Sequence, residues 1–364
     1  MINGDICFSE MEHQVMQHPK RILAIKLREL GDTAIWTSAL DGLNRLFPKA
    51  ELHVLVNPSS EALLIRQPYI HNVHKVSSTN SLALIPKLIQ LRKYRFDLAL
   101  GFHATTSLCR WIPWVGAKKV GLHHHSWPFT PKHSDLVLEK PGVLQGAIAR
   151  DYELLKSLGW TGPELSTHLN LLDSEKNEAK QLLENSNIDF QSSHRLLALL
   201  PGARSVTRRY PRDRWIEMVQ MIRSRCDYQL IVVTDKSLSE EWNLTTLCQE
   251  LNLPLFDQLD LRQFMALLSF ASQAITNDSG PLHIAAALGV STLALFGPGC
   301  VGDWHPYENP NHQVLRVPID CRSEGPAALE AFRYCTVTQC DHLSCLRLIE
   351  PKNIIERLSH NTEK

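Results

Sequence analysis

Short apolar runs alternate along this chain with stretches whose apolar residues recur at helical spacing. RILAIKL from Arg21, ELHVLVNP from Glu51, VHKV after Ile70 and FDLALGF from Phe96 to Phe102 read as strands. Between the first two, TAIWTSALDGLNRLF sets Ile35, Ala39, Leu43 and Leu46 on one side of a helix, and helical spacing returns from Leu82 to Arg92. Another helix is expected from about Val143, closing at Gly159 as a glycine just past a helix end should. The polar stretch from Asp173 to His194 reads as a short helix followed by a linker. The alternation then resumes. Leu196–Leu200, Gln229–Asp235, the run ending at Ala274–Thr276 and the run ending at Phe296–Gly297 are expected strands. Helices are expected after Pro211 and Trp215, over FMALLSFASQ, from Leu282 through Ala285, Ala286 and Gly289, and over PKNIIERL from Pro351. Strands alternating with helices predict an α/β fold whose parallel sheets are covered on both faces, with ligands at the carboxyl ends of the strands.

Three of the strand-to-helix turns carry chemistry. In the last, Asn277, Asp278, Ser279 and Gly280 supply turn residues and Pro281 fits a first helical turn, where its missing N–H is not needed. Open backbone N–H groups and the helix dipole make such a turn an anion site, with a phosphate as its natural guest. The competing reading is that Asp278 and Ser279 only cap the helix. In the first, Arg28-Glu29-Leu30-Gly31-Asp32 precedes the helix, and Asp32 reads by itself as a helix-start carboxylate. In the middle one, Pro201-Gly202-Ala203 is followed by Arg204, Arg208, Arg209 and Arg212. Forked, permanently charged donors there suit a diphosphate, since like charges so close repel one another without an anion. His103, where FDLALGF ends, belongs on the same strand edge as Asp32, although a histidine in such a place is more often a satisfied polar residue.

Composition narrows the function classes. The chain has 364 residues, enough for two domains, and its 38 Lys+Arg balance 38 Asp+Glu, leaving no net field to draw nucleic acid. The opening residues hold no apolar leader, and the longest largely apolar run, Ile284–Gly297, is 14 residues, short of a membrane span. With nine cysteines, this points to a cytoplasmic protein with reduced thiols. Trp111, Trp114, Lys118, Lys119, Trp127 and Phe129 suit either a surface meeting lipid headgroups or a phosphorylated acceptor, or a core loop with solvated lysines. The adjacent His123, His124 and His125 cannot all face one metal. GPGCVG at Gly297, Gly299 and Gly302 satisfies G-x-G-x-x-G, but no helical pattern follows, so it reads as a flexible loop beside the anion site. Cys321, Cys335, Cys340 and Cys345 lack the C-x-x-C pairs of zinc ribbons; they read first as unligated thiols and second as candidates for a structural metal.

The turns together resemble glycosyltransferase family 9, the lipopolysaccharide core heptosyltransferases. That family carries D-[ST]-G-x-x-H before an Ala-rich helix and a strand ending in Phe-Gly, matched by Asp278, Ser279, Gly280, His283, Ala285–Ala287 and Phe296-Gly297. Its Gly-Asp pair after the first strand is matched by Gly31-Asp32, and its basic residue ahead of an aromatic-Pro pair by Arg208 in R-R-Y-P. A proline common a few residues after the Asp is Ser38 here. The resemblance covers about residues 21 to 355.

It implies two Rossmann-like domains in the GT-B arrangement. Residues 1–19 would be an extension, 20–190 the acceptor-binding domain, 191–350 the nucleotide-sugar domain, and 351–364 a helix crossing back to the first. The implied reaction moves heptose from ADP-heptose or a related nucleotide sugar to a lipid-linked oligosaccharide acceptor, the lipopolysaccharide inner core, with inversion, no cofactor and peripheral contact with the inner membrane. Asp32 would be the base and Arg208 would stabilise the leaving diphosphate. Gly202, Arg204, Arg209, Asp278, Ser279, Gly280 and His283 would hold the donor, with Gly31 and His103 on the acceptor side. One branch, the autotransporter heptosyltransferases, adds a cysteine-bound iron, which keeps that reading open. A sugar-nucleotide epimerase of similar architecture is the other alternative.

No D-x-D motif occurs in the chain, so the commonest carboxylate pair for a Mg²⁺–diphosphate is missing. Excess EDTA in an assay of sugar transfer should leave the rate unchanged. Loss of activity that Mg²⁺ restores would refute this, and rescue only by iron or zinc would point to the cysteines.

Overall fold

The computed structural model describes residues 18–77, 80–124, 136–138, 144–190, 195–325 and 328–360. Most of the N-terminal extension, together with His125, Trp127, Phe129 and the linker end at 191–194, lies outside the described residues.

The first sheet contains β1 (Arg21–Ile25), β2 (Glu51–Val56), β3 (Ile70–Lys75), β4 (Leu98–Ala104), β5 (Lys119–His124) and β6 (Leu136–Leu138), in the order β3-β2-β1-β4-β5-β6. The second contains β7 (Arg195–Leu200), β8 (Tyr228–Val233), β9 (Leu255–Phe256), β10 (Gln273–Asn277), β11 (Ser291–Phe296) and β12 (His312–Arg316), in the order β12-β11-β10-β7-β8-β9. Every pairing is parallel. Such strands are shielded on both faces, which is why β7 (RLLALL) and β11 (STLALF) are almost continuously apolar and buried. In chain order both sheets read 3-2-1-4-5-6, the Rossmann order, so the two halves share one topology. Strand order reverses between β1 and β4 in the first sheet and between β7 and β10 in the second. A crevice opens at the carboxyl ends there, and all three chemistry-bearing turns leave those strands.

The largest apolar core runs through both sheets. It joins Ile22 and Ala24 of β1 to Ala198 and Leu200 of β7 by way of Trp36, Leu40 and Leu43 of the helix Leu30–Leu46 and Ile284, Ala285 and Ala287 of the helix Gly280–Ala287. The small side chains of the second helix let the first lie close. Arg262 adds a polar clasp: Nε donates to Glu175 Oε1 at 2.9 Å, Nη2 to Asn170 O at 2.9 Å and Nη1 to Ala62 O at 3.1 Å.

Some elements differ from expectation. The first helix starts at Leu30, so Gly31 and Asp32 belong to its first turn instead of the loop before it. A capping box between Asp260 and Gln263 starts the helix expected over FMALLSFASQ early, at Leu261. In the aromatic and basic stretch, Lys119–His124 is a strand beside β4, with His123 buried and Trp114 exposed. The last two residues of GPGCVG open a four-residue helix, Val301–Trp304, where no helix was expected. The C-terminal helix Pro351–His360 does not cross to the first sheet: Ile354, Ile355 and Leu358 pack with Trp215, Val219 and Ile222 of the helix Arg212–Arg225. Its apolar stripe faces the nearest helix of the second sheet.

Candidate functional site

On the first sheet Asp32 lies just inside the helix start, with its side chain only 14% exposed. His103, at the end of β4, turns its ring to it, Nδ1 lying 3.7 Å from Asp32 Oδ1, longer than a formed hydrogen bond. The His103 backbone is left-handed, φ 45°, a conformation that a non-glycine residue keeps only when its surroundings impose it. Arg28 Nε donates to the His103 carbonyl at 3.1 Å, and Asn57 Nδ2 donates to the Arg28 carbonyl at 2.8 Å. Burial pushes the His103 pKa down to about 3, so it meets Asp32 as a neutral imidazole. Burial alone would raise the Asp32 pKa, but the neighbouring His103, Lys26 and Arg28 bring it below the ordinary carboxylate value. Asp32 is therefore ionised at neutral pH.

Beneath it lies a pair that the sequence did not flag. Lys26 Nζ and Asp151 Oδ2 are 2.6 Å apart, each side chain 2% exposed. Removing either partner would strand a buried charge at a cost of about 3–5 kcal/mol. A lysine closing an apolar strand and an aspartate more than a hundred residues later give no pattern that connects them.

On the second sheet, Asn277 joins the two chemistry-bearing loops: Nδ2 donates to Pro201 O at 2.7 Å and Oδ1 accepts from Tyr210 N at 3.0 Å. Ser279 is the N-cap of the following helix but makes no side-chain capping bond, which removes the capping reading for it. Asp278 is 2% exposed, its Oδ2 lies 3.3 Å from Arg208 Nη1, and burial raises its pKa to about 6. The Asp278 carboxylate is thus set toward Arg208 and packed under Gly299, where any Cβ would collide with Oδ2.

The four arginines do not form the uncompensated cluster that was expected. Arg204 pairs with Glu29 of the first sheet's loop, Arg208 with Asp278, and Arg209 with Glu241 and the Ala203 carbonyl, while Arg212 donates to the Trp242 carbonyl. Arg209 and Arg212 are spent on local structure. Gly202 has no protein group within 3.5 Å of a Cβ position, so the fold itself does not require a glycine there.

The two sides touch at their glycines. A Cβ at Gly31 would lie 2.7 Å from His283 Cδ2 and 3.2 Å from Gly280 Cα, so two helix N-termini, one from each sheet, meet with no room for a side chain. His283 Nδ1 bonds the Tyr307 hydroxyl at 2.8 Å, which fixes the ring against Gly31, and burial keeps this imidazole neutral too. Gly297, Gly299 and Gly302, expected in a flexible loop, lead into a segment that reaches over the opening: Trp304 lies 6.5 Å from the His103 ring and 5.2 Å from the Arg150 guanidinium. An ionised carboxylate, an arginine and two helix N-termini thus converge on one cleft, equipped to deprotonate a hydroxyl on one side and stabilise an anion on the other.

The sequence profile described as "Glycosyltransferase family 9 (heptosyltransferase)" matches residues 88–326, about two-thirds of the chain. The chain belongs to glycosyltransferase family 9. It is a glycosyltransferase, and its paired Rossmann-like sheets are the GT-B arrangement. A Campylobacter jejuni relative named lipooligosaccharide heptosyltransferase 2 is 23% identical over 336 residues, covering 90% of this chain and 94% of the relative. The crystal structure of a family 9 glycosyltransferase from Veillonella parvula aligns with TM-score 0.78 at 17% identity, over 94% of this chain and 97% of that one. The structure titled E. coli ADP-heptose lps heptosyltransferase II aligns with TM-score 0.71 at 20% identity, over 93% and 98%.

In this glycosyltransferase Cys321, Cys335, Cys340 and Cys345 line one cavity of about 210 Å³ with Thr207, Pro298 and Arg322. Among the described residues no three His, Cys, Asp or Glu side chains are arranged to hold a metal ion, these cysteines included. Among the described residues, no helix is long and apolar enough to cross a membrane.

The glycine contact generates a test. Gly31→Ala should force His283 or Gly280 to shift, lowering stability by about 1–3 kcal/mol and reducing kcat/KM for sugar transfer. Thermal melting and steady-state kinetics report both. Wild-type values in each would show that the close approach is dispensable.

Proposed function

We propose that this glycosyltransferase moves heptose from ADP-heptose, or a closely related nucleotide sugar, to a lipid-linked oligosaccharide acceptor, the inner core of lipopolysaccharide, inverting the anomeric carbon. The observation that carries this reading is the pairing of an ionised Asp32 at one strand-order reversal with Arg208 and the Gly280 helix N-terminus at the other. The names of the aligned Campylobacter and E. coli proteins support the choice of donor and acceptor class. Residues 20–190 would bind the acceptor and 191–350 the donor, in a cytoplasmic enzyme. Gly280 and His283 would line the donor phosphates with Arg208, while Asp278 orients Arg208 and Arg204 closes the rim with Glu29.

The proposed step needs one base and one anion site. The acceptor oxygen attacks the anomeric carbon as its proton passes to Asp32, and the bond from that carbon to the diphosphate oxygen breaks. Charge collects on the diphosphate, where the Arg208 fork and the open helix turn oppose it. Neutral His103 holds the face of Asp32 without competing for the proton. An epimerase would instead need acid and base groups on both faces of the sugar, and Asp32 lies on one side only.

The direct test is incubation with ADP-heptose and truncated cores, followed by mass analysis. A core heavier by one heptose and a stoichiometric release of ADP are expected. An altered donor in the absence of acceptor would overturn the transferase reading in favour of an epimerase. Asp32→Asn should lower turnover by roughly 10²-fold or more while leaving donor binding nearly intact. Because the Asp32 pKa lies below the ordinary carboxylate value, its deprotonated form fills the pH range above that, so wild-type kcat/KM should show no Asp32 limb between pH 5 and 8. An acid limb within that range that disappears in Asp32→Asn would contradict the assigned ionisation.

Arg208→Ala should lower kcat/KM by roughly ten- to a hundredfold, with kcat falling because the charge peaks in the transition state, and Arg208→Lys should recover part of it. Arg204→Ala should do less, since its partner is an exposed glutamate. Equal small effects at Arg204, Arg208 and Arg209 would mean a diffuse basic surface instead.

A further inference from the structure

The helix Ser81–Leu91 covers the first sheet on the side away from the Leu30 helix. Its sequence, SLALIPKLIQL, carries one charge. Leu84, Leu88 and Leu91 fill the core at 0–1% exposure, so the opposite stripe at 82, 86, 89 and 93 faces solvent. A surface helix should be polar there. Instead Leu82 is 87% exposed, Ile89 is 43% exposed and Pro86 is exposed between them. The turn Ile112–Val115 packs beside this helix and adds Trp114, 45% exposed.

The charge around this stripe is one-sided. Between residues 80 and 120 there are seven Lys or Arg and one carboxylate, Asp97, in a chain whose total charges balance. Asp97 is already engaged by Lys118 Nζ at 2.7 Å and by the backbone N–H groups of Lys20 and Arg21. Lys87 has a lowered pKa through burial and then through Lys75 and Lys93, so these cations share one field. Arg92 and Lys93 are exposed at the helix end.

We propose that the outer stripe of this helix, with Trp114 and the flanking lysines and arginines, docks the enzyme on an anionic lipid surface. Aliphatic and indole side chains would enter the headgroup boundary while the basic residues meet lipid phosphates. The helix starts just beyond the carboxyl end of β3, so Leu82 sits on the sheet edge that carries Asp32. The docked face would therefore hold that edge near the membrane. This inference rests on the lipid-linked acceptor proposed above.

The full chain should co-sediment with phosphatidylcholine vesicles containing phosphatidylglycerol, bind pure phosphatidylcholine weakly, and be released by high salt. Leu82→Glu with Ile89→Glu should lower the bound fraction by roughly tenfold or more, because two aliphatic groups no longer leave water. Arg92→Glu with Lys93→Glu should produce a similar loss by a separate route. Both variants should keep the wild-type melting temperature and wild-type transfer to a delipidated core. Absence of wild-type binding to anionic vesicles, equal binding to neutral ones, or full retention in both variants would overturn the proposal. Vesicle binding that obeys these rules in a protein unable to glycosylate the delipidated core would sink the transferase reading and leave the docking surface standing.

Discussion

Everything chemical in this fold depends on one steric fact: the helices that begin at Leu30 and Gly280 approach each other N-terminus to N-terminus, with glycine on both sides of the contact. Two positive helix ends repel, and no side chain fits between Gly31, Gly280 and the His283 ring. What holds them is the apolar core behind, shared by Trp36, Leu40, Ile284 and Ala285. The Arg204–Glu29 pair at the rim is exposed on both sides, and such a pair contributes about 0–1 kcal/mol. The arrangement therefore keeps a fixed concentration of positive field at the mouth of the cleft, and that field is what a departing diphosphate requires.

The same burial that makes the field effective also sorts protons. His103 and His283 are both driven neutral, while Asp32 remains ionised because the His103 ring faces it and Lys26 and Arg28 stand close behind it. The buried Lys26–Asp151 pair fixes that lysine in place, and the strained backbone of His103 aims its ring. Asp278 is the counterpart on the second sheet. Buried and turned to Arg208, it holds an arginine that is otherwise 39% exposed in a defined position.

Much of this was legible from residue order. The strand–turn–helix repeats, the Gly31-Asp32 turn, the Arg208 loop and the Asp278–His283 loop follow from local patterns, because each is decided within a few residues. What escaped had two causes. Short or mixed elements such as β9, β12 and KVGLHH in β5 carry no clear period, so neighbours decide their state. Contacts across long separations leave no trace in spacing: Lys26 with Asp151, Asn277 with Pro201, and Trp304 over Arg150. The arginine loop shows the same limit. Repulsion among four like charges pointed to a bound anion, yet Glu29, Asp278 and Glu241 answer three of them from elsewhere in the chain. The C-terminal helix was misplaced for a similar reason, since its apolar stripe says that it packs but not on which sheet.

The most direct measurement is a crystal structure of the Asp32→Asn protein with ADP-heptose bound, in which the substitution preserves the shape of the site and stops turnover. The diphosphate should lie on Arg208 and the Gly280 helix turn, with the sugar directed into the cleft and its anomeric carbon open on the side facing residue 32. A nucleotide seated away from both glycine-bearing turns, or a sugar whose open face is turned from residue 32, would contradict single-step transfer across this cleft.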